Sequence, residues 1–299
     1  MKINSDTNES YQQTNIDKYV SQINTQVEKF IRKRLIRQHD ERGALWLLEE
    51  KATRVRGKRV RPILITCIGE TWGLSSINSL RIATAIEFIH IASCIVDDLP
   101  AFDGGDERDG ELCFYKKYGE GRAILTAVGL LTDAFSLMSE TTTGLENDME
   151  SKCLLIQLLS KCVHKMSLGQ LEDICKPEIP IDTTLEKKIF ERKTGALFEM
   201  AATAPVILQK GNCQDYSLMV QFGRSFGIAY QYADELEEIF EEGRSRNQRI
   251  TTHINKHLIE AKGYLNRTGQ NTSTLNTVLD WIIGRKVGSA NWCTSISDC

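Results

Sequence analysis

The chain has 299 residues, 41% of them hydrophobic and 26% charged, with a net charge of -3. This is ordinary globular composition with material for a sizeable core, and it makes no global electrostatic case for a nucleic-acid or membrane-surface partner. The nine cysteines form no CxxC pair and no His/Cys zinc spacing; with no signal peptide they read as reduced thiols in a cytoplasmic protein, and apolar runs fall short of the about 18 residues of a membrane span.

Residues 1–15 are polar, rich in Asn, Gln, Ser and Thr, and predict a flexible arm ahead of one domain spanning 16–299. Ile16, Tyr19, Val20, Ile23, Val27, Phe30, Ile31 and Leu35 then recur at helical spacing. An apolar run over 61–73 carries Pro62 where it suits a first helical turn. The stretch from Ser79 to Val96 is a long helical pattern that stops before Pro100. Further helices are predicted over 122–138, 149–171, 186–208, 216–240 and 275–287. Sustained strand alternation, Asn-Gly hairpins, GxGxxG, a P-loop and internal repeats are missing. The reading is an all-α domain of about ten or more helices.

Two acidic knots need a physical reason, because clustered like charges repel unless a cation lies between them. The first has six acids and one arginine between Asp97 and Asp109; the second has six acids and no base between Asp234 and Glu242. Asp97 and Asp98 close a helix, and Pro100 bends the chain so that Asp103 curls back towards them. Glu87, His90, Cys94 and Asp98 fall on one face of that helix, whose otherwise buried character makes unpaired carboxylates costly. This favours a metal site over a solvated acidic loop. In the second knot Gln231, Asp234, Glu235 and Glu238 follow i, i+3, i+4, i+7 on one helical face. Alone it is more often an exposed acidic face; its upstream partner raises its standing. Magnesium prefers carboxylate oxygens and shares phosphate ligands, so the first knot predicts a diphosphate held through magnesium. Lys58 with Arg61, just before a helix, and Lys193 with Thr194 are suited to clamp diphosphates, although single basic runs are usually solvated surface. By itself His90 reads as a satisfied core residue, and His253 and His257 read as surface.

In this order the elements resemble the trans-isoprenyl (polyprenyl) diphosphate synthases, most closely the geranylgeranyl type. Gly57-Lys58-Arg59-Val60-Arg61-Pro62 looks like the family's GKRxRP, and Asp97-Asp98-Leu99-Pro100-Ala101-Phe102-Asp103 is similar to its first aspartate-rich motif. Gly169-Gln170-Leu171-Glu172-Asp173 resembles GQxxD, Lys193-Thr194-Gly195 resembles KTG, and Tyr230 to Glu238 takes the place of FQxxDDxxD. The resemblance implies an all-helical isoprenoid-synthase fold, a single large bundle around a central cavity, and usually a homodimer. It implies about three magnesium ions that neutralise the diphosphate of an allylic substrate (geranyl or farnesyl), so that its C–O bond ionises and isopentenyl diphosphate attacks the cation. Asp97, Asp98, Asp103, Asp234 and Glu238 would hold metal. Arg108, Lys193, Thr194 and Gln231 would hold the allylic diphosphate, and Lys58, Arg61 and His90 the isopentenyl diphosphate. Asp97, Asp98, Lys193 and Gln231 would carry the catalysis. Product length in this family follows the bulk just upstream of the first aspartates. Ala92 and Ser93 stand there, which implies geranylgeranyl rather than farnesyl diphosphate.

The chain departs from the family pattern in three places. Asp109 follows Arg108 where a second arginine belongs, and the second motif reads DExxE. The segment from Glu241 to Arg249 replaces a longer loop and its lysine, with Arg244 or Arg249 as substitutes. These departures keep two alternatives open. One is a catalytically impaired paralogue acting as a diphosphate-binding or regulatory subunit, in a heteromer with another synthase. The other, more distant, is a class I terpene cyclase, in which Lys58, Arg61 and His90 would be idle.

Overall fold

The computed structural model describes residues 4–37, 43–54, 57–108, 110–141, 149–175, 184–241 and 248–288. α1 (Asn4–Arg37) lays the apolar stripe read from its spacing onto the bundle: Ile16, Val20, Ile23, Val27, Ile31 and Leu35 are all buried. Its backbone is helical from Asn4, so the polar segment expected as an arm continues the helix; the side chains of residues 1–13 lie outside the described residues. α2 (Leu45–Thr53), for which no pattern was assigned, leads to α3 (Val60–Thr71) and α4 (Ser76–Asp97). Next comes a small antiparallel hairpin, β1 (Glu107–Arg108) and β2 (Glu111–Leu112), with Arg108 opposite Glu111. Its turn uses Gly110 at φ 76°, a left-handed position that glycine adopts without a Cβ clash. No strand pattern is expected here, and Asp109, which precedes this glycine, lies outside the described residues.

The remaining elements are helical: α5 (Phe114–Tyr118), α6 (Glu120–Glu140), α7 (Met149–Cys175), α8 (Thr184–Phe190), a π-helical turn (Glu191–Gly195), α9 (Ala196–Leu208), α10 (Cys213–Glu241), α11 (Gln248–Asn266) and α12 (Ser273–Val287). α9 is apolar on all sides and nearly every residue in it is buried, the pattern of a helix at the centre of a bundle. It packs against α10, α7, α3 and α4. Phe88, Phe198, Phe222 and Phe226 are fully enclosed, each stabilising the fold by about 1.5–3 kcal/mol relative to exposure. Two expectations are corrected here. α4 and α6 are long and apolar enough, by length and composition, to cross a membrane, against the expectation that no run is. In the fold they pack along each other, and α4 is mostly buried in the bundle. His253 and His257, expected on the surface, stack on Tyr232 at 5.0 and 6.3 Å; His257 is buried with Nδ1 2.9 Å from Glu260 Oε2. The nearby carboxylate came from the next turn of the same helix.

Candidate active site

The first acidic wall is built by the end of α4 and the turn after it. The Asp103 amide donates to Asp97 O at 3.0 Å, and the Phe102 and Gly104 amides donate to Leu99 O at 2.9 and 3.2 Å. Asp103 therefore curls back as the Pro100 bend predicts. Asp98 is buried and accepts from Arg108 Nε at 2.7 Å, so the hairpin delivers a guanidinium onto this wall. Burial opposes the charge on Arg108, but the Asp98 hydrogen bond holds its pKa above the ordinary value. Burial pushes the Asp97 carboxyl up to about 6, against the pull of Lys193 and with added repulsion from Asp103. A carboxyl held that high is one for which a further cation relieves a real cost.

The basic turn between the walls is where the predicted helix over 186–208 breaks. α8 and α9 are separated by the π-helical turn Glu191–Gly195, a local widening that often marks a functional site. It is pressed between two glycines: a Cβ on Gly169 of α7 would lie 2.5 Å from Lys193 N, and one on Gly227 of α10 would lie 2.7 Å from Gly195 Cα. Lys193 Nζ donates to Asp173 Oδ2 at 2.9 Å and stands 3.9 Å from Asp97 Oδ2. Burial alone would lower its pKa, but Asp97 and Asp173 hold the ammonium above its ordinary value. The next residue faces the other way, with Thr194 Oγ1 donating to Gln231 Oε1 at 2.6 Å. Two consecutive residues thus touch both acidic walls.

On the second wall, α10 carries Gln231, Asp234, Glu235 and Glu238. Asp234 is ion-paired with Lys286 of α12, whose Nζ is also 2.9 Å from Glu237 Oε2, and Glu237 in turn pairs with Lys58. Lys58 is therefore turned to Glu237 rather than alongside Arg61. Arg61 is buried, its Cζ 4.7 Å from the Phe198 ring centroid and 6.0 Å from that of Tyr230, and its Nε has no hydrogen-bond partner. Glu87, His90, Cys94 and Asp98, placed on one helical face by spacing, all line a cavity of about 300 Å³ with Arg59 and Arg108. Arg59, at φ 50°, makes a buried ion pair with Glu87 at 2.5 Å. Burial, then Arg61, Arg108 and Arg59, push the His90 pKa well below its ordinary value, so the imidazole is neutral.

A second cavity of about 470 Å³ starts at Asp97 and Lys193 and runs between α4, α6 and α7, with Ala92 and Ser93 on its wall. Its lining is mostly aliphatic; among the described residues Phe102 is the one ring in it, and Ala92 and Ser93 contribute none. Gln170 borders it with neither amide atom hydrogen-bonded, an orphaned polar group that a bound ligand would satisfy. Among the described residues, no three Asp, Glu, His or Cys side chains come close enough to hold an ion unaided.

Sequence reasoning missed Lys286 and gave Arg59 no role. Lys286 had a readable signal: it falls three and four residues after Ile283 and Ile282 on the apolar stripe of α12, where a lysine is out of place unless paired. Arg59 had none, because a positive φ at its position is set by the chain it joins.

An all-helical bundle with two carboxylate walls, a basic turn between them and an apolar cavity is the arrangement that the resemblance read from the motifs implies. The comparisons agree. Residues 47–263 match the family model for polyprenyl synthetase, and the chain belongs to that family. It is 34% identical over 190 residues to geranylgeranyl pyrophosphate synthase 12, chloroplastic, of Arabidopsis thaliana, covering 62% of this chain and 52% of that protein. It is 32% identical over 185 residues to farnesyl diphosphate synthase of Micrococcus luteus, covering 61% and 62% respectively. The chain thus spans about half the length of the plant relatives it matches. Among solved structures, an apo FPP/GFPP synthase from Zymomonas mobilis superposes with a TM-score of 0.80 at 25% identity, over 90% of this chain and 99% of that one.

Proposed function

We propose that the chain is a trans-prenyltransferase that condenses isopentenyl diphosphate with geranyl or farnesyl diphosphate to give a longer trans-prenyl diphosphate, geranylgeranyl diphosphate. The observation that carries this reading is the mostly aliphatic cavity of about 470 Å³ that has Asp97 and Lys193 as its charged lining and no aromatic ring at Ala92 and Ser93. An allylic chain fits such a cavity with its diphosphate at the charged lining. Lys193, Thr194, Gln231 and Arg108 would bind and orient that diphosphate. Lys58, Arg61 and His90 would take the acceptor diphosphate; Arg61, a buried cation with an unpaired Nε, is prepared for an anion.

Magnesium fits the donors present. Asp97, Asp98 and Asp103 on one wall and Asp234 and Glu238 on the other offer only carboxylate oxygens, and because no three converge unaided, phosphate oxygens and water would complete the shell, as magnesium prefers. When bound, magnesium supplies the charge that stabilises the departing diphosphate. Ile124, Val128, Leu171 and Ile174, which line the same cavity, are exposed together with Leu125; a second copy covering this apolar side would close the cavity, and a homodimer is part of the reading.

A second reading, a diphosphate-binding subunit with little turnover, is favoured by Asp109 and by Lys58 being tied to Glu237. Purified protein given magnesium, labelled isopentenyl diphosphate and dimethylallyl, geranyl or farnesyl diphosphate separates them. Elongated diphosphate supports the synthase. No turnover with retained diphosphate binding supports the subunit, and hydrocarbon release would point to a cyclase. Asp109→Arg raising turnover would locate the defect in the acceptor site.

A further inference from the structure

Lys286 stands on the apolar stripe of α12, and its side chain is only 5% exposed. A buried ammonium is costly unless carboxylates surround it. Here Asp234 and Glu237 of α10 do so, and the Tyr230 ring lies 4.7 Å away beneath it. Glu237 also reaches Lys58, so one carboxylate ties the last helix to the segment that leads into α3. Asp234 and Glu237, at i and i+3 on one helix, would repel each other without this cation.

We propose that Lys286 is a resident counter-cation that withholds Asp234 from metal until a diphosphate is bound. The proposal rests on the reading of the two acidic clusters as metal walls. A divalent ion approaching Asp234 in the empty protein meets an ammonium already in contact with its ligand oxygen and must be dehydrated in its presence, which magnesium resists. A bound diphosphate changes both sides of that balance. Its oxygens complete the metal shell, and its negative charge offers the displaced ammonium a new partner. On the first wall Arg108 holds Asp98 Oδ1 in the same way, at 2.7 Å, but Asp97 has only Lys193 beside it, 3.9 Å away and out of contact, so an ion can enter there. The walls therefore load in order: first wall, diphosphate, second wall. Lys286 is a positioning residue in this scheme, and the order is its signature.

Counting Mn²⁺ bound to the full chain by electron paramagnetic resonance tests the scheme without any turnover. In the absence of diphosphate the wild type should bind Mn²⁺ only at the first wall, with that binding lost in Asp97→Asn. Lys286→Gln should then bind an additional ion per chain, or the same ions on the order of tenfold tighter, and adding Asp234→Asn should reverse the gain. Unchanged number and affinity in Lys286→Gln would overturn the proposal. A second measurement holds even if Lys286→Gln fails to fold. Asp234→Asn alone should cost no ion without inorganic diphosphate and one ion with it. Loss under both conditions, or under neither, overturns the proposal. Retention of wild-type Mn²⁺ binding by Asp97→Asn would instead sink the metal-wall reading, and this inference with it.

Discussion

The two acidic walls are made of the same side chains, yet their surroundings differ. On the first, Asp98 is buried against Arg108 from the adjoining hairpin, and Asp97 faces Lys193 from the π-helical turn. The cations that balance it are the ones proposed to receive the allylic diphosphate, so charge and substrate recognition come from one small neighbourhood. On the second, Asp234 and Glu237 are balanced by Lys286 of the last helix and by Lys58 ahead of α3. The first wall is balanced by cations proposed to receive the allylic diphosphate, the second by Lys58 of the proposed acceptor set and by Lys286, to which neither diphosphate is assigned. The comparison teaches that a carboxylate motif does not by itself announce how available its oxygens are; the partner cation decides.

The largest expected effect tests whether the first wall dominates. Asp98→Asn should lower magnesium-dependent product formation by about 100- to 1,000-fold, the scale on which a single electrostatic contact to the reacting group matters, because it loses a ligand and leaves Arg108 without its anionic partner. Glu238→Gln on the second wall should cost about tenfold or less, since the side chain is exposed and a weak ligand loses little. Equal losses in steady-state assays would break the comparison.

Packing between the walls gives the next effect. Gly227→Ala puts a Cβ 2.7 Å from Gly195 Cα, and overpacking of this kind costs about 1–3 kcal/mol. Urea denaturation should show that loss, together with a drop in turnover as Lys193 and Thr194 shift; a stable variant with full activity would mean the π-helical turn tolerates displacement. Ala92→Tyr should shorten the product while leaving metal binding intact, because the ring fills the apolar part of the cavity and not its charged lining. Chromatography of the dephosphorylated products checks it, and unchanged length would discredit the cavity as the tail site.

The smallest effect concerns pH. His90 titrates well below its ordinary 6.5 in the folded chain, so the unfolded chain binds the extra proton first. Its contribution to stability is therefore complete above about 6.5 and declines as pH falls below that value. His90→Asn should flatten this part of the stability curve between about pH 6.5 and 5 in thermal melts. An unaltered slope would mean that the carboxylates alone set the acid limb.

Much of this molecule was legible in the residues. The stripe from Ile16 to Leu35, the helix ending at Asp97, the return of Asp103 after Pro100 and the shared face of Glu87, His90, Cys94 and Asp98 all follow from local periodicity and turn chemistry, which depend on near neighbours in the chain. The motif order likewise pointed to the family. Three features were not legible for one common reason. The π-helical turn at Glu191–Gly195 is packed between two other helices, which approach it closely at Gly169 and Gly227. The burial of His257 depends on Tyr232 in a different helix. The pairing of Lys286 with Asp234 and Glu237 joins residues about fifty positions apart. What the amino-acid sequence determined by itself was which helices form, which faces are apolar and which residue types can bind a diphosphate. What only the tertiary structure decided was which charges stand opposite one another, because Coulomb interactions and burial depend on distance through space and not along the chain.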